Sequence, residues 1–346
     1  MLIKYEFLKI LRKRSTLIIM AVSLILTAFL FGLPIMQYQT YNQDGVIKGR
    51  EGIAYEKKQY LSVSVSLSEE YITETILEVQ QLFKNPDNVG YDGNEQFLIG
   101  DAYWHEIAPR EKLLNMIAKT YDSPNENSAY HNLPDLDVTN GANFYQARES
   151  KIQSVLNTPS RQLSKEQKAY WGRMASKVNT PLQYGYYQGW EIMISSLELL
   201  MFAILAICIV IAPVFSGEYQ AGTDAVILSG KYGKTKLITA KIVSSFLFGI
   251  LSFTLHVLVA FGLLLMAFGA EGWNLPVQIA NTTIPLYISA SGAFEYGDYL
   301  FGIVFHDQLN TFVVVKNENA ISCFDCIDAS SFLTNVLSTQ WNHRGI

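Results

Sequence analysis

FSGEYQAGTDAVILSGKYGKTKLITAKI, residues 215–242, is a charged, glycine-bearing island between two of the most apolar runs in the chain. Gly230, Gly233, Lys234 and Thr235 invite comparison with a phosphate-cradling nucleotide loop. The spacing excludes it. A G-x-x-x-x-G-K-[ST] loop needs glycine at the position held by Leu228 and follows a buried strand, whereas this island follows a run of membrane length. With the nucleotide loop set aside, the island connects two membrane-length segments, and the fold class is an α-helical integral membrane protein.

Composition agrees. Of 346 residues, 49% are hydrophobic and only 16% are charged, against about a quarter charged in an ordinary soluble domain. The apolar residues concentrate in three runs, each long enough for the roughly 20 residues that a bilayer core requires. They are 15–36, 191–216 (with Glu198 near its start) and 242–268. The first is too long for a signal-peptide core and has no small-residue cleavage site after Pro34, so an uncleaved transmembrane helix is expected. Cys208 lies in the second run, and Cys323 and Cys326 form a C-x-x-C pair with no second pair or histidine cluster. No disulfide framework, metal site, cofactor or catalytic residue is expected.

Charge sets the orientation. Lys4, Lys9, Arg12, Lys13 and Arg14 precede the first run, and Lys231, Lys234, Lys236 and Lys241 lie between the second and third. Short loops rich in Lys and Arg stay cytoplasmic. The amino terminus and 217–241 are therefore expected inside, and 37–190 and 269–288 outside. In residues 1–14, Ile3, Phe7, Ile10 and Leu11 recur at helical spacing with the basic residues largely elsewhere. That pattern predicts a cytoplasmic amphipathic helix on the membrane surface, with Lys4, Phe7, Lys9, Ile10, Arg12 and Lys13 as its contact residues.

The segment 37–190 reads as a mostly helical domain. Ile72, Ile76, Val79 and Phe83 form a stripe of period 3.6, Ala108-Pro109 opens REKLLNMIAKTY, and Ser164 with Gln167 gives a capping-box signal. Tyr184, Tyr186, Tyr187 and Trp190 stand just before the second run, where aromatic rings anchor at headgroup level.

This order of parts resembles the ABC-2 type permeases, the membrane subunits of ABC transporters, in the bacterial form with a long first outer loop. The residues that carry the resemblance are Phe215-Ser-Gly-Glu218-Tyr, Gly222-Thr223, Leu228-Ser229 and the lysine-rich stretch to Ala240-Lys241. The resemblance implies a multi-pass protein of the bacterial plasma membrane, without catalysis of its own, acting in export. Its implied partners are a cytoplasmic ABC ATPase subunit, a second permease copy or paralogue, and the lipid bilayer, with no nucleic acid. It places the docking surface on the amino-terminal helix and the island, with Glu218, Gly222, Thr223, Lys231, Lys234 and Lys236 coupling to the ATPase. Glu218 is expected to pair with a lysine of the loop or of the partner, Gly222 to allow a sharp turn, and Thr223 to cap the helix that follows. Two other layouts share these parts, an envelope assembly or anchoring protein displaying 37–190, and an extracytoplasmic sensor or receptor.

The family pattern breaks after the third run. Full permeases have six spans, yet 289–346 holds no uninterrupted apolar run, because His306 and Asp307 divide the best one. Read from the second codon base, Asp298 and Asp307 become Ile or Thr, His306 becomes Met or Thr, and Lys316 and Glu318 become Lys or Arg. Charge then vanishes where a fourth span belongs and positive charge appears at its cytoplasmic end. Residues 289–346 are therefore expected to be an out-of-frame tail, joined near 286–293.

Overall fold

The computed structural model describes residues 2–93, 95–122, 128–159, 162–220, 222–223, 229–230, 233–280 and 282. The expectations about 289–346, the missing fourth span, the Cys323/Cys326 pair and Lys231 lie outside the described residues. The described chain is mostly helical and divides into two units. One contains 2–35 and 192–266, the other 36–191 and 267–282.

The first unit holds three segments apolar and long enough to cross a membrane, Arg14–Met36, Leu197–Glu218 and Thr235–Phe268. Helix α1, Leu2–Leu11, precedes them, and α2, Arg14–Met36, is the first. The buried residues of α2 are Thr16, Ser23, Thr27 and Phe31, all on one face, while Leu17, Ile18, Val22, Ile25 and Phe29 are exposed. This pattern is inverted relative to a soluble helix. Exposed apolar side chains carry no penalty in hydrocarbon, and small or hydroxylated residues let helices approach and bond one another there. The longest helix, Ile238–Phe268, repeats the pattern, burying Ser244, Ser245, Ser252 and His256 and exposing Leu247, Leu251, Leu255 and Leu258.

In the second unit, α3 (Gly49–Leu61), α4 (Glu69–Lys84), α5 (Glu111–Tyr121), α6 (Phe144–Asn157) and α7 (Lys165–Ala175) supply the core. Ser68 caps α4 by accepting from the Tyr71 amide, Glu69 and Glu70 complement the positive end of the helix, and Lys84 closes its last turn. The predicted stripe of α4 buries Ile72, Ile76 and Val79 fully. A 3-10 segment, Val138–Asn143, packs on α4 so closely that a Cβ on Gly141 would collide with Thr73. Helix α5 adds Leu113, Leu114 and Ile117, and α6 adds Phe144 and Ile152. Ser164 and Gln167 exchange both capping-box bonds, at 2.8 and 3.2 Å.

Three short antiparallel strand pairs were not foreshadowed. β1 (Gln39–Asn42) pairs with β2 (Gly45–Lys48), β3 (Val65–Ser66) with β6 (Gln183–Tyr184), and β4 (Val89–Asp92) with β5 (Glu95–Leu98). At two to four residues each, they are too short for alternation to register as a signal. The β1–β2 turn is built locally, with Asn42 Oδ1 accepting from the Asp44 and Gly45 amides and Gly45 at φ +133°.

One expectation changes here. Tyr184, Tyr186, Tyr187 and Trp190 are buried in this unit and are not displayed as a headgroup belt. Trp190 Nε1 donates to the Glu271 carbonyl at 2.9 Å, and Leu275 lies where a Cβ on Gly185 would touch it. The described residues of the expected outer loop 269–288 pack into the same core, as do Ala267 and Phe268 before them. Val277, Gln278 and Ile279 are buried, Thr282 Oγ1 lies 3.0 Å from Thr120 Oγ1, and its carbonyl accepts from Arg148 Nε at 2.9 Å. Glu271 pairs with Lys57 at 2.7 Å. Burial alone would raise the Glu271 carboxyl, but the Lys57 hydrogen bond outweighs it and holds the group below its ordinary value. A second pair is more enclosed. Glu56 accepts from the Tyr38 hydroxyl and pairs with Lys112 at 3.1 Å, while the Lys112 ammonium lies 5.2 Å from the centre of the Tyr60 ring. Burial first, and then the Glu56 charge, push the Tyr60 phenol well above its ordinary value, so it keeps its proton.

Candidate functional site

The second apolar segment is two helices in line. Helix α9, Met201–Ile211, is followed after Ala212 by α10, Pro213–Gln220. α8 (Gln188–Ser195) and a 3-10 turn, Leu197–Leu200, lead into them. A proline in the first helical position costs nothing, because its missing N–H has no acceptor there. α10 ends as helices commonly do, with Gly222 at φ +64° and the Thr223 amide returning to the Glu218 carbonyl at 3.1 Å. This is a Schellman closure. The Thr223 hydroxyl donates to the same carbonyl at 3.2 Å. Thr223 therefore closes the helix before it, and the expected cap on a helix after it falls on 224–228, outside the described residues. A glycine in the left-handed region dictates this closure, because the next amide is turned back onto the preceding turn.

At the far end of the island, a π-helical turn, Gly233–Leu237, runs into α11, Ile238–Phe268. Lys241, expected in a loop, lies inside this helix, and its side chain is only 3% exposed. An ammonium near a helix N-terminus is opposed by the helix dipole and, so far from water, by desolvation. Its surroundings compensate. Lys241 Nζ donates to Glu218 Oε1 at 2.6 Å and to the Val214 carbonyl at 3.1 Å, and it pairs with Glu6 Oε2 at 3.4 Å. An ammonium has three protons, and three acceptors surround it. Glu218 Oε1 also accepts from Lys9 Nζ at 3.2 Å, at a more exposed site. Two lysines and two glutamates thus join α1, α10 and α11 at one place.

The six residues read as the amino-terminal contact set separate within this arrangement. Ile10 is buried in the unit, Phe7 is half-buried, Lys9 holds Glu218, and Lys4, Arg12 and Lys13 are exposed. Much of the apolar stripe thus faces protein, leaving Leu2, Ile3 and Tyr5 as the exposed large side chains of α1. In the island, Glu218, Gly222 and Thr223 converge and Lys236 is exposed, while the Lys234 side chain lies outside the described residues. Sequence reasoning missed Glu6 and the central role of Lys241. The signals were present, since Glu6 is the sole acidic residue before residue 44 and Lys241 is the last charge before an uninterrupted apolar run. Among the described residues no cluster of three His, Cys, Asp or Glu side chains could hold a metal ion.

A family model described as "ABC-2 family transporter protein" matches residues 1–318. No curated protein and no solved structure matches the chain.

Removing one member of a buried ion pair costs about 3–5 kcal/mol, because the other charge is left uncompensated. An exposed pair is worth only about 0–1 kcal/mol. Lys241→Met should therefore lower the stability of the purified protein strongly, and Lys9→Met only marginally. Thermal unfolding in detergent compares the two, and equal effects would contradict the assignment of Lys241 as the centre of the cluster.

Proposed function

Because the chain belongs to the ABC-2 family of transporter proteins, we propose that it is the permease subunit of an ABC exporter, driven by a separate cytoplasmic ATPase subunit and working beside a second permease copy or paralogue. The observation that most supports this is the Lys241 cluster. The two segments read as docking elements, the amino-terminal helix and the island, meet there with the start of α11. A partner that displaces α1 or the island then moves two spans through a charged, hydrogen-bonded joint, and such a rigid connection lets ATP-driven closure reach the membrane. Gly222 and Thr223 fix the exit of α10, and Lys231, Lys234 and Lys236 offer positive charge for an acidic partner surface. The layouts of a receptor or an anchoring protein give no role to a joint of this kind.

Expressed with a P-loop ABC ATPase that partners it, the chain should co-purify with that ATPase and raise its hydrolysis rate. Glu218→Ala should weaken both while leaving membrane insertion intact. Unchanged co-purification and turnover in Glu218→Ala would reduce the island to a connector.

The same reading puts the amino terminus and the island on the cytoplasmic side. In a background lacking Cys208, Cys323 and Cys326, a cysteine at Lys58 should react with an impermeant thiol reagent on intact cells, and one at Lys236 should not. The reverse pattern would invert the orientation.

For 289–346 the proposal is a change of reading frame near 286–293. The forced codon outcomes support it, and the family match continuing to residue 318 in the frame as written is the observation it must accommodate. Sequencing the gene across these codons should find a short repeat, with the shifted frame open beyond codon 346 and encoding apolar spans. An early stop in that frame would return 289–346 to the status of a genuine segment.

A further inference from the structure

α11 carries one ionisable side chain in the middle of its apolar length. His256 is fully buried, with Nδ1 2.7 Å from the Ser252 carbonyl and Nε2 2.9 Å from Ser23 Oγ on α2. An ionisable group inside a span is costly and is a functional candidate by default. A carbonyl can only accept, so Nδ1 carries the proton of the neutral ring and Nε2 is the acceptor. Ser23 then donates to Nε2. The surroundings favour the neutral form, because α2 from 15 to 36 and α11 from 242 to 268 hold no Asp, Glu, Lys or Arg, and the one titratable side chain of α9 is Cys208.

Two further features make this bond more than packing. α2 is the least enclosed of the three segments, with 22% of its apolar window buried against 41% and 33% for the other two. Its inward face is largely hydroxylated, and a polar bond in hydrocarbon supplies attraction that apolar contact with lipid-like neighbours does not. The hydroxyl also has a second acceptor within reach, the Met20 carbonyl of its own helix at 3.0 Å. If α2 moves away, Ser23 turns its proton to Met20 and only His256 Nε2 loses its partner. Opening therefore costs about one hydrogen bond.

We propose that Ser23 and His256 form a latch between the first and third spans, and that α2 swings from it as one rod when α1 is displaced. At its foot the rod is joined to α1 through Arg12 and Lys13. The Arg12 amide bonds the Leu8 carbonyl at 2.9 Å, Lys13 bonds Ile10 at 3.4 Å, and Leu17 bonds Lys13 at 3.2 Å, so the joint between the helices is short and hydrogen-bonded. Displacing α1 displaces α2, and the latch sets how far the equilibrium favours the docked position. The inference concerns the spans themselves and does not depend on which partner drives them.

The test is a distance measurement on the full chain in nanodiscs, without a partner. Spin labels at Val22 and Leu258, both exposed to the surrounding lipid phase, report the α2–α11 separation. The parent chain and Ser23→Thr, which keeps the hydroxyl, should give one short distance. Ser23→Ala and His256→Phe should add a longer one, with its population raised roughly 3- to 20-fold, the range set by interhelical hydrogen bonds measured in membranes. Unchanged distributions in both variants, or a Ser23→Thr that behaves like Ser23→Ala, would overturn the latch. Nitrogen NMR of the histidine-labelled chain gives a readout that does not depend on the movement, with His256→Phe assigning the signal among five histidines. A neutral ring with an accepting Nε2 that loses its donor in Ser23→Ala supports the proposal. A charged ring, or a proton on Nε2, at neutral pH refutes it.

Discussion

Lys241 is an ammonium withdrawn from water at the start of a 31-residue apolar helix, and the rest of its unit is arranged around that fact. It cannot stay there alone, because the cost of desolvating it exceeds what any apolar packing nearby could return. Glu218 and Glu6 must therefore be close, and so must the helices that bear them. One buried charge thus converts three separate sequence segments into a single junction. A hydrophobic substitute for the cluster would hold the helices together as well, but it would not fix which residues meet. A charged cluster tolerates only the arrangement in which every proton finds an acceptor.

The spans follow a second logic. In lipid the hydrophobic effect gives no reason for one apolar helix to seek another. What decides packing there is small residues, hydroxyls and occasional ionisable groups, and several of these are buried beside phenylalanines, Thr16, Ser23 and Thr27 on α2 and Ser244, Ser245, Ser252 and His256 on α11. The intervening unit follows the ordinary aqueous rule, with α4, α5 and α6 burying Ile, Leu and Phe and leaving their charges outside. One chain thus changes its solvent rules twice.

This difference explains what could be read in the sequence. The three apolar runs, the α4 stripe and the Ser164 start of a helix are local, and each is written within a few consecutive residues. The assignment of Glu218 to a lysine partner was also legible, because an acidic group at that depth demands one. Which lysine was not, since Lys9 and Lys241 lie 209 and 23 residues away. Nor were the strand pairs, which are too short to carry a pattern, or the burial of Tyr184 to Trp190. An aromatic cluster at the edge of a span looks the same in sequence whether it faces headgroups or a domain core. Only the arm 267–282, which arrives from the far side of two spans, decides between them. Ser23 and His256 escaped notice because each is an isolated polar residue within an apolar run, and their significance is in the pairing.

That arm has a consequence for the path of the chain. Because 36–191 and 267–282 build one core, with Trp190 on Glu271, Lys57 on Glu271 and Arg148 on Thr282, both must lie on the same face of any bilayer the protein enters. The stretch between them must then cross an even number of times. Parity is imposed by packing, without reference to the lysine count of any loop. It also orders synthesis, since the early helices of this unit wait with unfilled positions until α11 has been made and its far end delivered back to them. A chain whose third span failed to insert would take the Glu271 carbonyl from Trp190 Nε1 and the Thr282 carbonyl from Arg148 Nε, so a topological error would appear as a folding defect in the neighbouring unit.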